Sequence, residues 1–199
     1  MKKNVFAALL LAVAGISSAN AGTITFDSLE KSGSGFQVMP TYTESGFLLT
    51  ANTGFASAFQ GNTGWYAGSA SLYNNYGNGL TTLTKVDGGT FSLNGISLAE
   101  VSTTYGPGAT VAFVGNIHGG GTVTESFTVG NTLSFTAFSF TGFTNLDSVT
   151  WIQASPYAQF DNIVVSANAV PEPASLALLG LGMAGLVASR RKAAASKRA

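Results

Sequence analysis

The sequence predicts an all-β protein whose main domain is an antiparallel β-sandwich of jelly-roll type. Short segments in which polar and apolar residues alternate recur through residues 22–169, and glycine or asparagine separates them. No long stretch there spaces apolar residues three and four apart, as an amphipathic helix would. Strands of this kind bury one face each, and a region of 148 residues is large enough to pack two sheets around one core.

The strands can be placed in chain order from this alternation. Clear patterns predict strands at residues 23–26, 91–93, 123–129 and 133–135. Weaker patterns add candidates at residues 46–51, 71–73, 80–86, 96–101 and 148–153. Residues 160–165 are nearly continuously apolar, which predicts a central closing strand. The total is about nine to ten strands.

The clearest turn joins residues 112–117 to residues 122–129. The connecting sequence His118-Gly119-Gly120-Gly121 contains three glycines that can adopt positive φ, which predicts a β-hairpin. Between Phe135 and Phe140 the alternation changes phase, which predicts a β-bulge or a bend in the strand.

The first 21 residues have the three parts of a cleavable secretion signal. A positive start precedes a short apolar helix and a pair of small residues that marks a cleavage site. The apolar run, at about twelve residues, is shorter than the roughly 20 that cross a bilayer. The basic residues, the cleavage-site residues and the first mature residue are, in that order, Lys2 and Lys3, Ala19 and Ala21, and Gly22.

The last 30 residues also form a tripartite segment. A Pro-Glu-Pro motif precedes an uncharged apolar run, and a basic cluster follows it. The apolar run predicts a transmembrane helix, slightly short, that the basic cluster stops on the cytoplasmic side. The three parts are Pro171, Glu172 and Pro173; residues 174–189; and Arg190, Arg191 and Lys192.

This C-terminal segment, residues 170–199, resembles the PEP-CTERM sorting signal of Gram-negative bacteria. The resemblance implies that signal peptidase and an exosortase are partners during export, with the inner membrane holding the chain transiently. It also implies a final location at the cell surface or in the extracellular matrix. Pro171, Glu172 and Pro173 are then recognition residues. The alternative is an ordinary C-terminal membrane anchor.

The charge of the middle domain differs from that of the whole chain. Formal net charge is zero overall, but residues 22–169 carry only two lysines beside eight acidic residues. An acidic domain without basic clusters has no electrostatic means of holding a phosphate backbone, so no nucleic-acid partner is expected. The chain has no cysteine and therefore no disulfide framework.

Residues suited to catalysis are sparse. The only histidine, His118, lies in the glycine-rich turn, where an exposed turn residue is more common than a general base. No serine lies in a nucleophile elbow, and the only carboxylates close in sequence are Asp27 and Glu30. We therefore expect a protein that is not an enzyme. The competing hypothesis is a secreted hydrolase whose carboxylates converge only in three dimensions.

Three segments of the middle domain resemble the sandwich domains of PEP-CTERM cargo proteins and, through them, carbohydrate-binding jelly rolls. These segments are Ile24-Thr25-Phe26-Asp27, the Gly-Gly-x-Phe-x-Leu stretch at residues 88–93, and Phe160-Asp161-Asn162-Ile163. The resemblance implies that Asp27 and Asp161 could hold a structural calcium between the first and last strands. The alternative is that Asp27 caps a turn and Asp161 accepts a backbone amide. Apart from that calcium, no cofactor is expected.

Aromatic residues in loop-like sequence are candidates for stacking on sugar rings. Trp65, Tyr66 and Tyr73 lie in segments rich in glycine and asparagine, as do Tyr76 and Tyr105. Such placement predicts that these residues stay off the buried faces of strands. The alternative for Trp65 and Tyr66 is packing beneath a long loop. Trp151, which alternates with Val149, is instead predicted to lie in the core.

The function predicted from these features is that of an exported structural or carbohydrate-interacting component of the exopolysaccharide or biofilm matrix. A less favoured candidate is ice binding, because Thr-x-Thr recurs at residues 23–25, 41–43, 82–84 and 122–124. These pairs have no fixed repeat period, so solvent-facing strand positions explain them more simply.

Overall fold

The computed structural model describes residues 21–106, 108–167 and 182. Residues 19–168 belong to one compact unit. The predicted signal helix and the predicted transmembrane helix at residues 174–189 lie outside the described residues, except for Gly182. Within the described part of the chain, no helix combines the length and the apolar character needed to cross a membrane.

The described domain is built almost entirely of antiparallel strands, which confirms the predicted all-β sandwich. One 3-10 turn, Asp27–Leu29, interrupts the series of eleven strands. The strands are β1 (Ala21–Ile24), β2 (Phe36–Glu44), β3 (Phe47–Ala58), β4 (Tyr73–Asn74), β5 (Gly79–Lys85), β6 (Phe91–Glu100), β7 (Thr110–Ile117), β8 (Thr122–Thr128), β9 (Thr136–Ser139), β10 (Leu146–Gln153) and β11 (Ala158–Ala167).

The strands form two layers. In the first layer β1, β11, β6 and β9 lie side by side. In the second layer the order is β2, β3, β5, β10, β7 and β8, and β4 adds a short pairing to β3. A single pairing, Leu146 with Phe91, joins the two layers. We call them the four-stranded and the six-stranded sheet.

Aromatic rings from both sheets fill the space between them. Phe160 of β11 lies 5.1 Å from Trp151 of β10 and 5.8 Å from Phe26, measured between ring centroids. Phe113 of β7 lies 5.3 Å from Trp151. All four side chains are buried, because alternate residues of each strand point inward. The predicted core position of Trp151 is confirmed.

Three further local predictions are confirmed by the pairing of the strands. Residues 110–117 and 122–128 form a hairpin, closed by a hydrogen bond from the Ile117 amide to the Gly121 carbonyl at 3.0 Å. The three glycines of its turn have positive φ. Residues 160–165 lie within β11, which has β1 on one side and β6 on the other and is therefore a central strand.

The sequence missed β2. Its residues alternate poorly and contain Pro40, which argues against a strand within a sheet interior. In the structure β2 is an edge strand, and the pairing register shifts between Met39 and Thr41, so that Pro40 sits at a bulge. Proline is tolerated at both kinds of position because neither requires its missing amide hydrogen.

Two other predictions were wrong in detail. Residues 91–93 and 96–101 are one strand, since Asn94-Gly95 continues β6 and does not turn the chain. Gly95 is needed there because a Cβ would lie 3.2 Å from the Phe138 carbonyl oxygen of β9. Residues 133–135 are not a strand; pairing begins one residue later, at Thr136, within the segment where a bulge or bend was predicted.

Candidate functional site

The loop at residues 59–72 covers the outer face of the four-stranded sheet. Leu72 forms two backbone hydrogen bonds with Phe160, one of 3.1 Å and one of 2.9 Å. The amide nitrogen of the Gln159 side chain donates to the Trp65 carbonyl at 3.1 Å, and the Ser71 hydroxyl donates to its oxygen at 2.5 Å. Because the loop covers this face, β11 is buried on both sides from Ala158 to Asp161.

An aromatic cleft lies where this loop meets three other connections. It has a volume of about 210 Å³ and is partly open to solvent. Trp65 lies 5.9 Å from Tyr73 and 5.8 Å from Tyr105, and Tyr105 lies 5.4 Å from Tyr157. The residues that line the cleft are Trp65, Tyr73, Asn74, Asn75, Tyr76, Gly77, Val101, Tyr105 and Tyr157.

The cleft brings together most of the aromatic residues that the sequence analysis selected. Trp65 lines it in a half-buried position, and Tyr76 and Tyr105 expose 70% and 43% of their surface, as expected of loop residues. Tyr73 differs from the expectation, because only 6% of it is exposed. It belongs to β4, which pairs with β3, and the Trp65 ring lies over it. Burial, followed by nearby Tyr105, raises the pKa of the Tyr73 hydroxyl.

Tyr66 does not line the cleft. Its hydroxyl donates to Glu30 at 2.5 Å. Burial and this hydrogen bond to a carboxylate raise the pKa of Tyr66 to about 12, with the Glu30 charge adding to the effect. The adjacent residues Trp65 and Tyr66 therefore have different roles, since only the first faces the cleft.

Two further aromatic residues at the cleft, Tyr157 and Phe36, were not predicted from the sequence. Tyr157 follows Ser155-Pro156 in the connection between β10 and β11, and a proline-containing turn beside an aromatic residue is the signal that could have identified it. Phe36 begins the unpredicted strand β2 and packs edge-on against Trp65, with 5.4 Å between ring centroids.

The polar groups of the cleft are amides and phenols. Asn74 is held in place, because its side-chain nitrogen donates to the Gly79 carbonyl and its oxygen accepts from Thr81 at 3.1 Å. The Gln153 side chain accepts from the Asn74 backbone amide. None of the nine lining residues carries a charge. The arrangement can bind an uncharged molecule with apolar faces.

Asp161, the first predicted calcium ligand, is buried beneath the loop. Its carboxylate accepts from the Ser69 hydroxyl at 2.5 Å and from the backbone amide of Asn162 at 2.6 Å. Burial raises the pKa of Asp161 to about 6, these hydrogen bonds lower it in part, and the charges of Asp27 and Glu44 raise it further.

Asp27, the second predicted ligand, is exposed and begins the 3-10 turn. Both oxygens of Asp161 already accept hydrogen bonds from protein donors. In the described part of the chain no three His, Cys, Asp or Glu side chains are grouped as a metal site. The geometry fits the alternative in which Asp161 accepts a backbone amide, and calcium binding by this pair stays a prediction.

His118 pairs with one carboxylate at an exposed position. Its Nδ1 is 2.8 Å from Asp147, and both side chains are at least half exposed at the end of a hairpin. No nucleophile is hydrogen-bonded to this pair among the described residues. The His118–Asp147 pair therefore does not decide between the expectation that the protein is not an enzyme and the competing hypothesis of a hydrolase.

Three of the four Thr-x-Thr pairs lie in the six-stranded sheet. Thr41, Thr50, Thr82 and Thr150 are cross-strand partners in four adjacent strands. Their sequence neighbours Tyr42, Leu49, Leu83 and Val149 are buried in the core, so the four threonines point to the outer face. Tertiary structure thus creates a lateral row of threonines that no sequence period reveals.

Comparison with known proteins identifies the C-terminal segment. Residues 169–192 match the PEP-CTERM protein-sorting motif. This motif marks the chain as an exported protein processed by an exosortase. No curated protein matches the sequence.

Several solved structures are similar to the chain at low identity. A carbohydrate binding module of family 29 is 12% identical, with a TM-score of 0.43, over 75% of this chain and 89% of that one. A CBM29-2 mutant complexed with mannohexaose is 11% identical, with a TM-score of 0.44, over 75% and 92%. A family 29 module from Piromyces equi is 15% identical, with a TM-score of 0.40, over 78% and 95%.

Proposed function

We propose that this exported protein is a non-catalytic component of the exopolysaccharide or biofilm matrix whose aromatic cleft binds a neutral polysaccharide. The observation that carries the proposal is the convergence of Trp65, Tyr105 and Tyr157 from three separate connections on one partly open cleft. Aromatic rings present broad apolar faces, and binding clefts combine such faces with a few fixed polar groups.

The shape and composition of the cleft suit a sugar ring. A pyranose has apolar C–H faces and a rim of hydroxyl groups. In the cleft the Trp65 and Tyr105 rings provide apolar surface, while the Tyr105 and Tyr157 phenol groups and the Asn75 amide provide hydrogen-bonding partners. A volume of about 210 Å³ accommodates a short stretch of a chain, so the rest of the polymer would extend into solvent.

Charge favours a neutral ligand. No charged residue lines the cleft, and the domain carries eight acidic residues against two lysines. An anionic polysaccharide would be repelled by this excess of negative charge. A secreted protein that is held transiently at the inner membrane and then released to the surface would meet neutral polysaccharides outside the cell.

The experiment measures binding of the full-length protein, in detergent, to neutral and uronic-acid-containing bacterial exopolysaccharides by affinity electrophoresis. We expect retardation by a neutral polymer and a loss of at least about tenfold in affinity for Trp65→Ala, or about 1.4 kcal/mol. Tyr66→Phe is the matched control, because Tyr66 is adjacent in sequence and does not line the cleft. Equal binding by wild type and Trp65→Ala would contradict the proposal.

The threonine row supports ice binding as a second candidate. Thr41, Thr50, Thr82 and Thr150 lie side by side on an uncharged strip of the outer face. Adjacent strands are about 4.8 Å apart, so the row presents regularly spaced hydroxyl and methyl groups. Sheet twist limits how many strands can lie flat against one surface.

Inhibition of ice recrystallisation by the full-length protein tests this second candidate. Thr82→Lys would place a charge in the middle of the row and abolish the activity, whereas Thr136→Lys, on the exposed strand β9 of the other sheet, would leave it unchanged. Inactive wild-type protein, or equal activity in both variants, would remove ice binding from consideration.

A further inference from the structure

A second hollow lies beside the aromatic cleft, at the edge of the six-stranded sheet. It is a shallow groove with a volume of about 360 Å³, and it is more open to solvent than the cleft. The bulged part of β2 and the facing part of β3 form most of it. Residues that line it include Val38 and Pro40 of β2, Asn52, Thr53 and Gly54 of β3, and Asn75 of the connection after β4.

The cleft and the groove are continuous. Asn75 lines both of them, and its backbone amide donates to the Gly54 carbonyl at 3.0 Å, which fixes the shared residue in place. The strand β2 provides a second connection. Phe36, which packs against Trp65, and Val38, which lines the groove, lie two residues apart and therefore on the same face of the strand. A ligand longer than the cleft would extend directly into the groove.

Exposed apolar side chains are concentrated around these two hollows. Seven large hydrophobic side chains are exposed in the described part of the chain, and six of them belong to this region. Scattered single residues of this kind are ordinary, whereas a continuous group of them marks a binding surface. The six are Tyr76 and Tyr105 of the cleft, Phe36 and Val38 of β2, and the cross-strand partners Leu80 and Ile152 beside Asn52.

We propose that the groove is a second subsite of the aromatic cleft, and that successive units of one neutral polysaccharide chain occupy the two hollows together. The inference rests on the proposed function, because the cleft is the first subsite. None of the residues that line the groove carries a charge, so it matches the same neutral class of ligand. The length of chain that is bound, and not only the type of sugar, would then determine affinity.

The groove contains both kinds of group that a sugar ring requires. Val38 and Pro40 provide apolar surface for the C–H faces of the ring. Asn52, Thr53 and Asn75 provide an amide, a hydroxyl and a second amide for its hydroxyl groups. Asn52 is held in position, because its side-chain oxygen accepts from the Leu80 amide at 2.9 Å. Its side-chain nitrogen can donate to a ligand.

A second copy of the chain is the competing occupant of the groove. β2 is an edge strand, and an exposed apolar edge is a common site for the addition of another strand. Pro40 opposes such pairing, because it has no amide hydrogen and lies where the bulge interrupts the register. The excess of acidic residues in the domain, eight against two lysines, also opposes self-association.

The test compares neutral oligosaccharides of two and of six units as ligands of the full-length protein in detergent, by titration calorimetry. The probes are the β-1,4-glucan, β-1,4-mannan and α-1,4-glucan series, together with dimers and hexamers prepared from any neutral polysaccharide that retards the protein in electrophoresis. We expect a hexamer to bind at least about tenfold more tightly than its dimer, because only the hexamer reaches both subsites. Trp65→Ala should weaken the binding of both.

Val38→Glu tests the groove itself. Val38 is 66% exposed, so the fold tolerates a charged side chain there, but a neutral ligand would have to displace water from the charge. The ratio of hexamer affinity to dimer affinity should fall to near one. Val86→Glu is the matched control, because Val86 is 62% exposed, lies in the turn after β5 and lines neither hollow. It should keep the wild-type ratio.

The outcomes separate this inference from the proposed function. Equal affinities for dimer and hexamer, or an undiminished ratio in Val38→Glu, would overturn the second subsite, and the cleft proposal would stand if Trp65→Ala still lost binding. If wild type binds no neutral polysaccharide or oligosaccharide, the proposed function fails and the second subsite fails with it. A wild-type dimer in analytical ultracentrifugation that Val38→Glu dissociates would assign the groove to a second copy instead.

Discussion

At the scale of single residues, Asp161 shows how burial raises the pKa of a carboxyl group. Covered by the loop that carries Ser69, it is 1% exposed and has a pKa of about 6. Burial is the main cause, and the hydrogen bonds from Ser69 and Asn162 recover only part of the lost hydration. The charged form is therefore less stable in the folded state than in the unfolded chain.

This shift predicts a pH dependence of stability. The raised pKa means that the contribution of Asp161 is fully present below pH about 4 and is lost as pH rises through about 6. The loss is on the order of 3 kcal/mol. We expect Asp161→Asn to be more stable relative to wild type at pH 7.5 than at pH 4, measured by urea unfolding of the full-length protein. Asp87→Asn, at an exposed position, should not show that trend; if it does, the dependence does not arise at Asp161.

The close contact between Gly77 and Tyr157 predicts that a substitution at Gly77 alters the cleft more than the fold. A Cβ at this position would lie 2.6 Å from the Tyr157 hydroxyl, the far end of a side chain that can move. We expect Gly77→Ala to weaken polysaccharide binding severalfold with little change in Tm. Gly64→Ala is the control, because a Cβ there meets nothing within 4 Å. Unaltered binding by Gly77→Ala would show that the position of Tyr157 is not important.

At the scale of elements, β6 links the close contact with β9 to the aromatic cleft. Its last residue, Glu100, is fully buried, and the next residue, Val101, lines the aromatic cleft. Along the same strand Gly95 allows β9 to approach closely. One strand can serve both regions because successive side chains point to opposite faces.

The close approach at Gly95 can be tested directly. In Gly95→Ala the new Cβ would lie 3.2 Å from the Phe138 carbonyl oxygen, so the β9 backbone must shift. We expect a loss of about 1–3 kcal/mol in the free energy of unfolding, as for other overpacked sites. Gly130→Ala, where a Cβ has open space, should be close to neutral in the same measurement. Equal stability of the two variants would show that β9 adapts without cost.

At the scale of the whole molecule, the charge is distributed among segments with different roles. Seven of the nine basic residues lie in the first three and the last ten positions of the sequence. The domain between them is acidic and presents an uncharged aromatic cleft. The neutral total of the chain therefore says little about the surface that a ligand would meet.

Removal of residues 170–199 tests the sorting segment as a unit. The match to the PEP-CTERM motif predicts that the truncated protein is secreted without exosortase processing and without retention at the surface. Fractionation and immunoblotting of cells that express the full-length and truncated proteins measure this. A chain in which only Arg190, Arg191 and Lys192 are replaced by alanine separates the effect of the basic cluster from that of the motif. An unchanged distribution in the truncated protein would contradict the role of the segment.

Local sequence patterns determined the strand content of this protein and its sorting motif. Alternation identified β8, because burial of one face constrains every second residue, and nearly continuous apolarity identified β11. The contiguous Pro171, Glu172 and Pro173 could be recognised without any fold. The same reasoning missed β2, since Pro40 is acceptable only at an edge or a bulge, and position within a sheet is not a local property.

Only the tertiary structure decided which side chains meet. Trp65, Tyr105 and Tyr157 are separated by 40 and 52 residues in the sequence, yet strand pairing brings their rings together at one cleft. Tyr73 joined them as a buried residue because β4 pairs with β3. Sequence patterns record the face on which each residue lies, whereas a site requires contacts between distant segments, and these arise only when the sheets pack.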